Sequence, residues 1–165
     1  MNRPFLIISI IFLSGCFAHA PLKSNGIAMP EVSGSVADVS KVRSGGKLGF
    51  VPFKAGPQAE DNEELDKLSL MLIKGIREGL QAHKAAFTVT DKAEEADFIL
   101  EGYIEEFSRT KFSVSGEIWG RDSGAKVLTF ASSRTMKPKK SDSLDTAYRA
   151  GVAIGNFIAA QAAKE

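Results

Sequence analysis

A single cysteine in 165 residues excludes an internal disulfide framework and any multi-cysteine zinc site. Two histidines, His19 and His83, leave little material for metal or acid–base chemistry, and no cofactor or metal is expected. An excess of one charge sign is also missing. The 21 Lys and Arg residues stand against 20 Asp and Glu, so no long-range field draws the chain to nucleic acid, and no nucleic-acid partner is expected. The longest apolar run falls well short of the about 20 residues that cross a bilayer. What is present is ordinary: 44% hydrophobic and 25% charged residues, in a length that suits one domain with short appendages.

The chain opens Met1-Asn2-Arg3-Pro4 and continues into the apolar stretch Phe5–Leu13. One positive charge followed by a short apolar core has the proportions of a signal peptide. The stretch ends in Leu13-Ser14-Gly15-Cys16, which resembles the lipobox of bacterial lipoproteins. Small residues before the scissile bond let the backbone lie in a protease cleft, and the cysteine is the one side chain suited to thioether attachment of a diacylglycerol. The resemblance implies a signal peptide over 1–15, cleavage between Gly15 and Cys16, and Cys16 as the acylated first residue. Two or three acyl chains, at about 0.8 kcal/mol per buried CH₂, would hold the protein on a membrane permanently. The competing reading is an ordinary secretory signal cleaved at Ala18-His19-Ala20. Phe17 follows the cysteine. In enterobacteria-like systems an Asp there resembles an inner-membrane retention signal, so its absence points to the outer membrane, facing the periplasm.

Residues 16–46 are rich in Gly, Ser, Pro and Ala, show no sustained period, and read as a lipidated flexible tether. The series Val32, Val36, Val39, Val42 leaves open an edge strand or a short helix in that span. Residues 47–165 read as a single domain. Leu48–Phe53 is apolar on both faces, as a buried strand is. Lys54–Gln58 contains Gly56-Pro57 and reads as a loop. Asp61–Glu64 supplies a cap and first-turn acids for a helix to about His83, whose buried stripe is Leu65, Leu68, Ser69, Leu72, Ile76, Gly79 and Leu80. Phe87–Thr90 is a short strand, and Asp91 caps one or two helical turns to Ala96. Strands at 97–107, 112–120 and 126–136 follow, the last two joined by a hairpin through Arg121-Asp122-Ser123-Gly124-Ala125. Pro138–Ser141 breaks the pattern, and a helix with Ala147, Gly151, Gly155, Ile158 and Ala159 on one stripe closes the chain. The expected class is α+β: a two-layer sandwich of a mixed sheet of about five strands and two long helices, in the order β-α-β-β-β-β-α.

No catalytic residue is expected. His83 ends a helix, where a cationic ring suits the dipole, and Glu105 and Glu106 point to opposite faces of a strand. Glu101, Tyr103 and Glu105 share a face and form an acidic stripe, most simply a solvated sheet surface. Trp119 shares the polar face of its strand with Lys111, Ser113, Ser115 and Glu117. Trp119 and Tyr103 are therefore the candidate partner contacts, Trp119 otherwise covering a sheet edge. Gly75/Gly79 and Gly151/Gly155 place a small-xxx-small pair on each long helix, for close packing in the core or for self-association. Lys137, Lys139 and Lys140 form a small basic patch on a loop.

The lipobox, the GFVPF strand before a helix, and the Ala96–Gly102 strand before a Trp-containing hairpin occur together. In combination they resemble small outer-membrane lipoproteins, namely the penicillin-binding-protein activators, the curli-secretion lipoprotein and the N-terminal domain of the Tol–Pal translocation protein. The resemblance spans about 47–165 and implies no catalytic residues. It implies a lipid-anchored periplasmic binding or assembly module that docks to an envelope protein. The alternative it leaves is an oligomeric structural part of an outer-membrane secretion or transport channel, with the glycine-bearing helices at the subunit contacts.

Overall fold

A computed structural model describes residues 30–59, 63–83, 87–108, 111–135 and 143–163. The expected signal peptide, the lipobox residues Leu13, Ser14, Gly15 and Cys16, the cap residues Asp61 and Asn62, and Lys137, Lys139 and Lys140 lie outside the described residues. In chain order the elements are β1 (Glu31–Val36), α1 (Val39–Ser44), β2 (Gly46–Phe50), β3 (Lys54–Gln58), α2 (Glu63–Ala82), β4 (Phe87–Val89), β5 (Phe98–Phe107), β6 (Lys111–Gly120), β7 (Lys126–Thr135) and α3 (Ser143–Ala163). A 3₁₀ turn at Ala93–Glu95 precedes β5.

Alternation of apolar and polar residues builds the sheet from its centre outward. β5, β6 and β7 pair antiparallel, and their inward residues line up in cross-strand rows: Leu100, Ile118 and Leu128 in one, and Ile104, Val114 and Ser132 in another, with the Gly102, Gly116 and Phe130 row between them. The six residues of the first two rows are buried. Gly124, at φ 62°, takes the left-handed conformation that the tight β6–β7 turn needs, and the Gly120 amide donates to the Ala125 carbonyl across it. β2 and β4 add parallel strands beyond β5, as the β-α-β opening predicts. The sheet order is β1-β7-β6-β5-β2-β4, with β3 also paired to β5. The α+β class holds, and the sheet has seven strands where about five were expected.

The two additional strands have physical reasons. Pro52 has no amide to donate, so the expected Leu48–Phe53 strand stops at Phe50. Phe53 then turns inward and its amide donates to Ser69 Oγ at 2.8 Å. The chain resumes as β3, parallel to β5, so Lys54–Gln58 is a strand and not the expected loop. Its Pro57 is tolerated because β3 pairs on one side only, and a Cβ on Gly56 would lie 2.7 Å from Glu105 Cα. β1 is the other addition. Residues 31–44, expected within the tether, form an edge strand antiparallel to β7 and then α1, whose Val42 is fully buried. Asp38 caps α1: Ser40 Oγ and the Lys41 amide donate to its carboxylate and hold its pKa below the ordinary value. The 3₁₀ turn has no side-chain cap from Asp91, which pairs with Arg77 instead.

α2 and α3 lie against the inner face of the sheet and against each other, the most extensive contact between two elements. α2 buries the full expected stripe, together with Gly75. A Cβ on Gly79 would sit 2.5 Å from the Val152 carbonyl oxygen, and one on Gly151 would sit 2.9 Å from the Ile76 amide nitrogen. Gly75 and Gly79 therefore meet Gly151 and Gly155 backbone to backbone, with residue numbers rising together, so the helices run parallel. The glycines are consumed inside one chain. That corrects the reading in which they form the subunit contact.

Candidate functional site

The outer face of the sheet, opposite the helices, carries the described candidate residues. Cross-strand register fixes its rows: Ile99 with Trp119, Glu101 with Glu117 and Thr129, Tyr103 with Ser115 and Ala131. Lys54 joins the Tyr103 row from β3. Glu101, Tyr103, Ser115, Glu117 and Thr129 line a shallow cavity of about 330 Å³, with the backbone of Gly102 and Gly116 as its floor. The floor is thin because these two glycines oppose each other in the register, with the rings of Phe53 and Phe130 beneath them. Tyr103 is 47% exposed, one of three large apolar side chains so placed among the described residues.

The carboxylates here are not equivalent. Glu105 accepts from the Ser115 hydroxyl, and Glu117 pairs with Lys126. Glu106 pairs with Lys111 at 2.7 Å, and the bulge in β5 sets it opposite Ser113, on the same outer face as Glu105, where opposite faces were expected. The face can receive a polar ligand or a protein surface through an aromatic ring flanked by acids. Among the described residues no group of three or more His, Cys, Asp or Glu side chains is placed to hold a metal ion. His83 is exposed just beyond the end of α2. No described helix is long and apolar enough to cross a membrane.

The structure brings Tyr103 and Glu101 together in one patch with Glu117, Ser115 and Thr129, and it places Trp119 on the same face beside Ile99. Period-two alternation made Ser115 and Glu117 legible as neighbours of Trp119 on that face. Thr129 was missed, because which β7 residue faces which β6 residue is set by register and not by composition. Trp119 is half-buried, and its Nε1 is buried with no hydrogen-bond partner among the described residues. Trp119→Ala is expected to leave a folded domain weakened by about 1–2 kcal/mol, within the ordinary range for single substitutions and below that of a core aromatic. Thermal unfolding followed by circular dichroism checks this. Loss of the cooperative transition would make Trp119 a core residue instead.

A curled mixed sheet with two long parallel helices packed on its inner face defines a two-layer α+β fold class. Solved structures of PelC share this fold. A PelC dodecamer from Paraburkholderia phytofirmans aligns at TM-score 0.59 with 15% identity, over 79% of this chain and 98% of that chain. A point-variant dodecamer of the same PelC aligns at 0.59 with 18% identity over the same shares. At these identities the likeness is one of fold. No family model and no curated protein matches the chain.

Proposed function

We propose that this chain is a self-assembling, non-catalytic component of a bacterial cell envelope, held on the outer membrane through lipid on Cys16 and facing the periplasm. The observation that carries the assembly is the fold shared with PelC dodecamers across nearly the whole of the PelC chain. The anchor rests on Leu13-Ser14-Gly15-Cys16 after a short apolar core, and on the resemblance to small outer-membrane lipoproteins. The balanced charge of the sequence fits a protein whose contacts are with protein and lipid and not with polyanions. The test is the native mass of the full-length chain extracted in mild detergent. A defined oligomer is expected at micromolar concentration, and a monomer there overturns the assembly.

A second reading, a module that docks a different envelope protein, is favoured by one feature. Tyr103 stands exposed beside Glu101 and Glu117 at a cavity on the open sheet face, a place where an aromatic anchor gains from burial.

A further inference from the structure

Sheet edges are the main route by which one copy of a β-containing chain pairs with another, and folded proteins normally guard them with proline, lysine or short length. One side of this sheet is guarded in that way. β4 has three residues, and β3 carries Lys54 and Pro57. β1, at the opposite edge, is six residues of sequence EVSGSV with neither lysine nor proline, and among the described residues it pairs only with β7.

The open side of β1 can be read residue by residue. The Ala37 amide donates to the Val127 carbonyl at 2.8 Å, and successive strand residues point their backbone groups to alternate sides. Ser35, Ser33 and Glu31 therefore bond to β7, while the N–H and C=O groups of Val32, Gly34 and Val36 point away from it. The apolar layer also runs up to this edge unfinished. Val32, Val36 and Phe157 are partly buried against the core, and a Cβ on Gly34 would lie 2.9 Å from Phe157 Cζ.

We infer that β1 pairs antiparallel with β1 of a second copy across a two-fold axis at Gly34, joining the two sheets. This rests on the self-assembly reading and names its contact. The second copy is the occupant that fits, because β1 is the one unguarded edge that this chain presents among its described residues and an antiparallel edge is self-complementary in donors and acceptors. In that register Gly34 faces Gly34 of the second copy, Val32 faces Val36, and Ser33 faces Ser35. The half-buried Val32, Val36 and Phe157 of both copies close the apolar layer beneath the seam. The one charged residue of β1, Glu31, falls opposite Ala37, about 20 Å from its counterpart, so no like charges meet. A two-fold contact closes at two copies, and any larger assembly uses a second surface in addition.

The test is a pair of charge patterns at exposed positions that face one another only in this register. In the full-length chain in mild detergent, Ser33→Lys with Ser35→Lys sets lysine against lysine and is expected to lose the wild-type native mass for half of it or less. Ser33→Lys with Ser35→Glu sets lysine against glutamate and is expected to keep the wild-type mass. Circular dichroism confirms that both variants are folded. Retention of the wild-type mass by the double-lysine variant overturns the seam and leaves the assembly standing. Loss of mass in both variants overturns the two-fold register, the edge then serving another strand. A monomeric wild type overturns the assembly itself.

Discussion

Gly151→Ala is expected to destabilise the domain, although helix propensity alone predicts the reverse. An exposed helical glycine replaced by alanine gains about 1 kcal/mol from reduced backbone entropy in the unfolded chain. At position 151 the added methyl meets the Ile76 amide nitrogen at 2.9 Å and Gly75 Cα at 3.0 Å. These are backbone atoms, which cannot rotate aside, so α2 and α3 must separate along their shared length. Overpacking of this kind costs about 1–3 kcal/mol, and here the cost exceeds the propensity gain because several close contacts open together. A net loss of about 1–2 kcal/mol corresponds to a drop of roughly 4–8 °C in melting temperature for a domain of this size. Gly151→Leu should lose more. Denaturant and thermal melts read the sign directly. A stabilised Gly151→Ala would mean that the helices do not meet at glycine, and would return the glycine stripes to an intermolecular role. The Tyr148 hydroxyl donates to Glu78 across the same contact, which raises the tyrosine pKa, and that bond would be strained by the same separation.

The fold was legible wherever one residue's surroundings are set by its near neighbours in sequence. The α2 stripe from Leu65 to Leu80, the turn at Gly124 and the alternation of β5, β6 and β7 all follow from periodicity and local turn chemistry. β3 was not legible in that way, and β1 only as the edge strand that the Val32, Val36, Val39, Val42 series left open beside a tether. Each is an edge strand, so half of its backbone and much of its side-chain surface meet water, and its composition resembles that of a loop. What makes Lys54–Gln58 a strand is the adjacent edge of β5, some fifty positions away in the chain, and Gly56 is there because Glu105 lies close against it. β1 likewise depends on β7, with Gly34 opposite Phe130. The candidate site divides along the same line. Tyr103 and Glu101 shared a face by alternation within one strand, whereas their grouping with Thr129 required the register of three strands at once.

Cys16→Ala is expected to abolish fatty-acid labelling and move the protein from the membrane to the soluble fraction. One acyl chain gives only marginal membrane binding, while two or more make it effectively permanent, so removing the sole attachment atom removes the whole partition energy. The competing cleavage at Ala18-His19-Ala20 makes the opposite statement. In that case Cys16 leaves with the signal peptide, and its replacement changes neither labelling nor fractionation. Intact mass and N-terminal sequence of the native protein separate the two. With lipid on Cys16, β1 starts within about 50 Å of the bilayer, the most that the chain from Cys16 to Pro30 can span. Two such anchors, leaving a β1–β1 seam about 20 Å apart, both reach one leaflet without strain when the seam lies along the membrane. Membrane attachment should then raise the local concentration of β1 edges, so the Cys16→Ala protein in solution should form its oligomer only at higher total concentration than the anchored chain does.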